Sequence, residues 1–355
     1  MSRLIFASVI VIIIVISAGV LLFSEIDEPK EESFEEKIAG LDIKEPEAPP
    51  ENQQTMIRIP TADEKPEITS AYLSTYTILD DTYGTEMIVV VEGDKRIIKS
   101  NAIPNHETGE FPNEGNPNEI TEQNLTFTFP LTPTRTTSAR PVRVPGVAVN
   151  GVKFEPETAE EVVCESGETY HIEAFQELAD LGFDENNAHV QPNGTYHYHG
   201  VPHELIELLN TDDDLVHVGF ARDGHLMYYS KSGAYKPSYE LSTTVRTGEN
   251  CTYNIGGEEY DIEIASTSPD GTFVSDWQFV IDSGDLDRCN GVRLGTEYAY
   301  IITDTYPYVN RCLYGTFTEE RPEPPQGEQT PSPPEGEGPP PDGPPPDNPP
   351  PPPQE

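Results

Sequence analysis

The stretch at residues 186–200, Asn-Asn-Ala-His-Val-Gln-Pro-Asn-Gly-Thr-Tyr-His-Tyr-His-Gly, constrains this chain more than any other. Pro192 presets φ for the second position of a type I turn, Asn193 tolerates the third, and Gly194 supplies the left-handed residue that closes a three-residue hairpin loop. If Gln191 then pairs with Thr195, His189 falls directly opposite His197 and Asn187 opposite His199, because each step outward advances both strands by one residue. Side chains alternate along a strand, so one face of the hairpin carries Ala188, Val190, Tyr196 and Tyr198. The other carries Asn187, His189, Gln191, Thr195, His197 and His199. The first face reads as core and the second as a cluster of three imidazoles.

Directly opposed Cβ atoms lie about 4.5–5.5 Å apart, and i, i+2 neighbours on one strand about 6–7 Å. At those separations His189, His197 and His199 can converge on one ion. Imidazole nitrogen suits zinc, copper, nickel and iron, and three histidines that leave one position open are a known zinc arrangement. The competing reading is three histidines that hydrogen-bond to backbone and to one another on a half-buried face.

The same stretch resembles the YHYH-domain family, through Tyr196-His197-Tyr198-His199. Other segments carry the resemblance too. Ser100-Asn101-Ala102-Ile103-Pro104-Asn105-His106, followed by Gly109, Phe111-Pro112-Asn113 and Gly115-Asn116-Pro117-Asn118, is similar to the family's upstream block. Val147-Ala148-Val149-Asn150-Gly151-Val152 with Phe154 is similar to its middle block. Residues 284–291 and 303–308 are similar to its closing blocks. One segment departs from the usual Asp-Gly-Phe-Pro: here Asp223-Gly224 continues with His225-Leu226. The resemblance spans roughly residues 86–317 and implies a single fold unit without specifying a reaction.

Cys289 and Cys312 sit in and beside these closing segments, and the pairing expected from that placement is Cys289–Cys312, with Cys164–Cys251 as the remaining bridge. Four cysteines allow three pairings, and sequence alone does not choose among them. The absence of any Cys-x-x-Cys disfavours a zinc ribbon or a thioredoxin-type site.

Charge narrows the partners. With 63 acidic against 21 basic residues, the formal charge is −42, and no Lys/Arg stripe interrupts it. Nucleic acid is excluded as an expected partner, because a phosphate backbone would be repelled.

Residues 4–23 are an uncharged apolar run, long enough as a helix to span about 30 Å of hydrocarbon. No convincing cleavage site follows, so residues 1–24 read as a single-pass membrane anchor that places the remainder outside the cell. Residues 25–69 are rich in Glu, Pro and Lys and read as an acidic linker. Residues 70–317 form the globular domain. Residues 318–355, dominated by Pro, Gly and Glu, read as a disordered polyproline-rich tail.

Within the domain, Met87–Val91 and Lys95–Lys99 flank Glu92-Gly93-Asp94 as a hairpin, and Leu125, Phe127 and Phe129 alternate on one side of a further strand. Strand patterns recur at 142–149, 215–220, 252–255, 260–265, 277–281 and 298–303. Helical patterns are fewer, at 157–163, 172–181 and 202–209. The mixture defines an α+β domain that is predominantly β.

His106, in the upstream block, is a candidate fourth metal ligand or a turn cap. His217, His225, Asp223, Asp285, Asp287 and Asp304 are candidate bases, ligand-orienting groups or turn caps. Three function classes follow, in this order: a surface protein that holds or delivers copper or zinc, a metal-dependent extracellular enzyme such as a hydrolase, and a structural or adhesive domain whose histidines only pack.

Overall fold

The computed structural model describes residues 71–209, 211–255 and 258–318. The anchor expected at residues 4–23, the linker at 25–69 and all but the first residue of the tail lie outside the described residues. Among the described residues, no helix is long and apolar enough to cross a membrane.

Among the described residues, the first strands form an antiparallel meander of β1 (Tyr76–Asp80), β2 (Thr85–Glu92), β3 (Lys95–Ser100) and β4 (Leu125–Pro130). The β2–β3 turn lies where Gly93 allows a positive φ of 60°, and the register pairs Glu92 with Lys95. Alternation then buries Arg96, Ile98 and Ser100 on β3 and Phe127 and Phe129 on β4.

Next come β5 (Arg135–Pro141), β6 (Gly146–Ala148), β7 (Lys153–Phe154), β8 (Glu161–Val163), β9 (Thr169–His171), β10 (Ala188–Val190) and β11 (Tyr196–Tyr198). The α-helix found among the described residues, α1 (His203–Leu209), is followed by β12 (Leu215–Ala221), β13 (Leu226–Ser230), β14 (Tyr239–Leu241), β15 (Cys251–Ile255) and β16 (Glu258–Ile262). The last strands are β17 (Trp277–Phe279), β18 (Gly291–Leu294), β19 (Glu297–Ile302) and β20 (Cys312–Gly315).

Eight of these form one mixed sheet in the order β10-β11-β7-β6-β12-β13-β19-β18, with the β11/β7 and β13/β19 pairs parallel. Its central strand β12 is buried almost without interruption, as a strand covered on both faces requires. One core cluster joins Tyr76, Met87, Ile98 and Phe127 of the meander to Phe154, Tyr198, Phe220 and Tyr300 of the large sheet. Tyr76 Oη adds a tie by donating to the Val149 carbonyl at 2.8 Å.

A smaller cluster of Val162, Tyr170, Tyr253, Ile262 and Phe273 joins the β8–β9 and β15–β16 hairpins and contains the Cys164–Cys251 disulfide. The second bridge is Cys289–Cys312, so both expected pairings are present.

The domain is predominantly β, as its alternation indicates, but two expected helices are absent. Residues 161–163 are strand β8, where β-branched Val162 and Val163 pair with Tyr170 and Thr169 across a turn that uses Gly167 at φ 86°. At 172–181 the backbone is irregular. Gln176 Oε1 accepts from the Leu178 and Ala179 amides, a local bond that competes with helical pairing.

Candidate metal centre

The hairpin register is the expected one: Ala188 pairs with Tyr198, His189 with His197 and Val190 with Tyr196. The Gln191 amide donates to Thr195 O at 3.0 Å, and the Gly194 amide closes the turn on Gln191 O at 2.8 Å. Gly194 is required twice over. Its φ is 86°, and a Cβ there would lie 1.8 Å from Thr121 Oγ1.

Tyr196 and Tyr198 enter the main core, as the alternation requires. The opposite face, however, is also covered: His197 is 2% and His199 1% exposed, and only His189 is half-buried. Asn187 departs from the strand, with a φ of 53°, and its side chain donates to Val201 O rather than joining the histidines.

On that face the three ring nitrogens meet. His199 Nε2 lies 2.8 Å from His197 Nε2 and 3.2 Å from His189 Nε2. His189 Nδ1 bonds the Leu181 carbonyl at 2.8 Å and His197 Nδ1 the Thr195 carbonyl at 3.2 Å. A carbonyl can only accept, so those two rings carry their protons on Nδ1 and turn Nε2 lone pairs toward His199. His199 Nδ1 is buried and has no hydrogen-bond partner among the described residues.

Phe183 stacks on His189 at 4.5 Å and meets His199 edge-on, closing the site from above. Burial lowers the pKa of all three, furthest for His197 and His199, where the neighbouring imidazoles and Lys153 add to the effect. The cluster is therefore neutral at pH 7, the state a metal ligand needs.

His106 is not brought to the three. It lies on the tyrosine face, where Tyr198 Oη donates to His106 Nε2 at 2.6 Å and His106 Nδ1 bonds the Glu107 carbonyl at 2.7 Å. Asn150 Nδ2 reaches both Tyr198 Oη, at 2.9 Å, and Asn105 Oδ1, at 3.2 Å. Asn116 and Asn118 both donate to the Val190 carbonyl, and Asn186 Oδ1 caps α1 at Glu204 N. The upstream and middle motifs thus clamp the back of the hairpin that holds the histidines.

The other candidates serve turns and packing. Asp223 accepts from Tyr300 Oη and the Gly315 amide, while Asp287 accepts from Tyr298 Oη and the Cys289 and Gly291 amides. Asp285 caps Lys236 N, and Asp304 accepts from Tyr229 Oη. His217 is buried against Phe220 and Tyr228, and His225 against Tyr298 and Tyr300.

Four residues beside the histidines escaped sequence reasoning: Phe183, Lys153, Glu155 and Arg143. Lys153 and Glu155 flank Phe154 at i, i+2 spacing, but only the parallel pairing of Lys153 with His197 brings them to this face.

A sheet-rich, disulfide-linked domain whose motifs converge on one histidine-bearing hairpin defines the class of protein. A family profile described as YHYH protein matches residues 126–315, more than half of the sequence, and the chain belongs to that family. No curated protein and no solved structure matches it.

Proposed function

We propose that the chain binds one transition-metal ion, copper or zinc, through His189, His197 and His199, and that it holds or delivers the ion rather than turning over a substrate. The observation that carries this reading is the convergence of three neutral Nε2 atoms, two of them fixed as lone-pair donors by backbone carbonyls. Without a cation, a single proton is the only bridge those three nitrogens can share, whereas a metal satisfies all three lone pairs.

Size supports the fit. Nitrogens at 2.0–2.1 Å from a tetrahedral zinc are about 3.3 Å apart, so the 2.8 and 3.2 Å separations need to open by only a few tenths of an ångström.

The neighbouring carboxylates favour holding over hydrolysis. Glu155 is engaged at both oxygens by Arg143, Lys153 and Gln191, and Glu173 by Arg311. In each, both carboxylate oxygens are already paired with protein groups, which leaves no oxygen for a metal-bound water.

The apolar run at residues 4–23 and the two disulfides support a domain carried on the outside of a cell membrane. Elemental analysis of the protein made without affinity histidines tests the proposal. A stoichiometric transition metal is the expected result, and a chain that takes up neither copper nor zinc would refute it.

A further inference from the structure

Beside the histidines lies a second constellation that metal binding does not use. Lys153 and Glu155 project from and just beyond β7, and Gln191 from the hairpin turn on the far side of β11. Lys153 Nζ lies 2.8 Å from Gln191 Oε1 and 2.7 Å from Glu155 Oε2. The same Glu155 Oε2 accepts from Gln191 Nε2 at 2.9 Å. Glu155 is 2% exposed and the Lys153 side chain 13%.

An ordinary ion pair would need only the Lys153–Glu155 contact. Here one carboxylate oxygen touches both a primary amine and the nitrogen of a carboxamide, while the amine is hydrogen-bonded to the carbonyl of that same amide. Amine, carboxamide and carboxylate are thus within hydrogen-bond reach of one another, which brings together the three groups of an acyl transfer in which the amine attacks, the amide nitrogen leaves and the carboxylate carries a proton from one to the other. Arg143 Nε, 2.5 Å from Glu155 Oε1, occupies the other carboxylate oxygen and leaves Oε2 to Lys153 and Gln191.

We propose that Lys153 and Gln191 form an intramolecular isopeptide bond, with Glu155 as the proton shuttle. Glu155 takes a proton from the Lys153 ammonium, and the freed amine forms a bond to Gln191 Cδ. The proton passes through Glu155 to Nε2, the Cδ–Nε2 bond breaks, and ammonia departs, taking up the second proton released from Lys153 as the new secondary amide forms. An ammonium and a carboxamide become an amide and an ammonium ion, with no oxidant, reductant or cofactor. The product ties β7 to the hairpin turn across β11, the strand that carries His197 and ends just before His199.

The test is mass spectrometry of the full chain, purified with both disulfides formed, then reduced and digested. The expected result is a mass lower than the reduced sequence by one ammonia, together with a branched peptide joining Lys153 to Gln191. Lys153→Arg, which keeps the cation but removes the nucleophile, and Glu155→Gln should both restore the full mass. A folded parent chain with Lys153 and Gln191 in separate peptides overturns the proposal, as does an ammonia loss that maps to an asparagine elsewhere. A Glu155→Gln variant that still cross-links overturns the role given to Glu155. None of these readouts depends on metal.

Discussion

His189 stands directly across the β10–β11 ladder from His197, with the two imidazole centroids 4.8 Å apart, and His199 closes the triangle at 4.7 Å from each. The triangle depends on a three-residue turn. A loop one residue longer or shorter would slide His189 against a different partner and split the cluster.

Gly194→Ala should therefore damage both fold and site. A side chain at φ 86°, pressed against Thr121, costs about 1–3 kcal/mol. Chemical denaturation should show that loss, and metal uptake should fall with it.

The tyrosine face can be separated from the histidine face by Tyr198→Phe. Removing the hydroxyl leaves His106 Nε2 without its 2.6 Å partner and costs about 1–3 kcal/mol, while the three Nε2 ligands stay in place. The expected outcome is a lower denaturation midpoint with unchanged metal stoichiometry.

Acid should destabilise the domain through its buried histidines, among them two that lie outside the cluster. Burial, with help from Arg96, holds His217 down to about 3, and burial also lowers His225. In the unfolded chain both take up protons near pH 6.5. Between that value and the depressed folded values the unfolded state binds more protons, so stability is intact above about pH 6.5 and falls below it. The slope is about 1.4 kcal/mol per pH unit for each such imidazole. Urea midpoints measured from pH 7.5 to 4.5 should fall accordingly, and His217→Leu should flatten the slope.

Replacing Cys289 and Cys312 together by Ser should lower stability by about 2–4 kcal/mol, because the bridge closes a 23-residue separation in the unfolded chain. The histidine triangle lies on other strands, so metal stoichiometry should survive. Denaturation and elemental analysis on the same preparation check both parts.

Much of the site was legible because a hairpin is local: the turn residues set the register, and the register sets the faces. The Glu92-Gly93-Asp94 turn and the alternation through Phe127 and Phe129 were readable for the same reason. What escaped was non-local. That His106 belongs to Tyr198 rather than to the other histidines depends on a loop crossing the back of the hairpin. Burial of the histidine face depends on Phe183 and on the parallel strand β7, neither of which leaves a periodic mark. The missing helix at 172–181 reflects tertiary demand: Glu173 is held by Arg311 and Phe175 by Tyr308, and a continuous helix is not what forms between them.

The most direct measurement is the metal content of the parent and of His197→Ala, each prepared without affinity histidines, loaded with copper or zinc and dialysed, with melting temperature recorded with and without metal. The parent should retain one ion per chain and melt higher with it, whereas His197→Ala should lose both the ion and the stabilisation. Equal metal retention and equal stabilisation in His197→Ala would contradict the proposed centre.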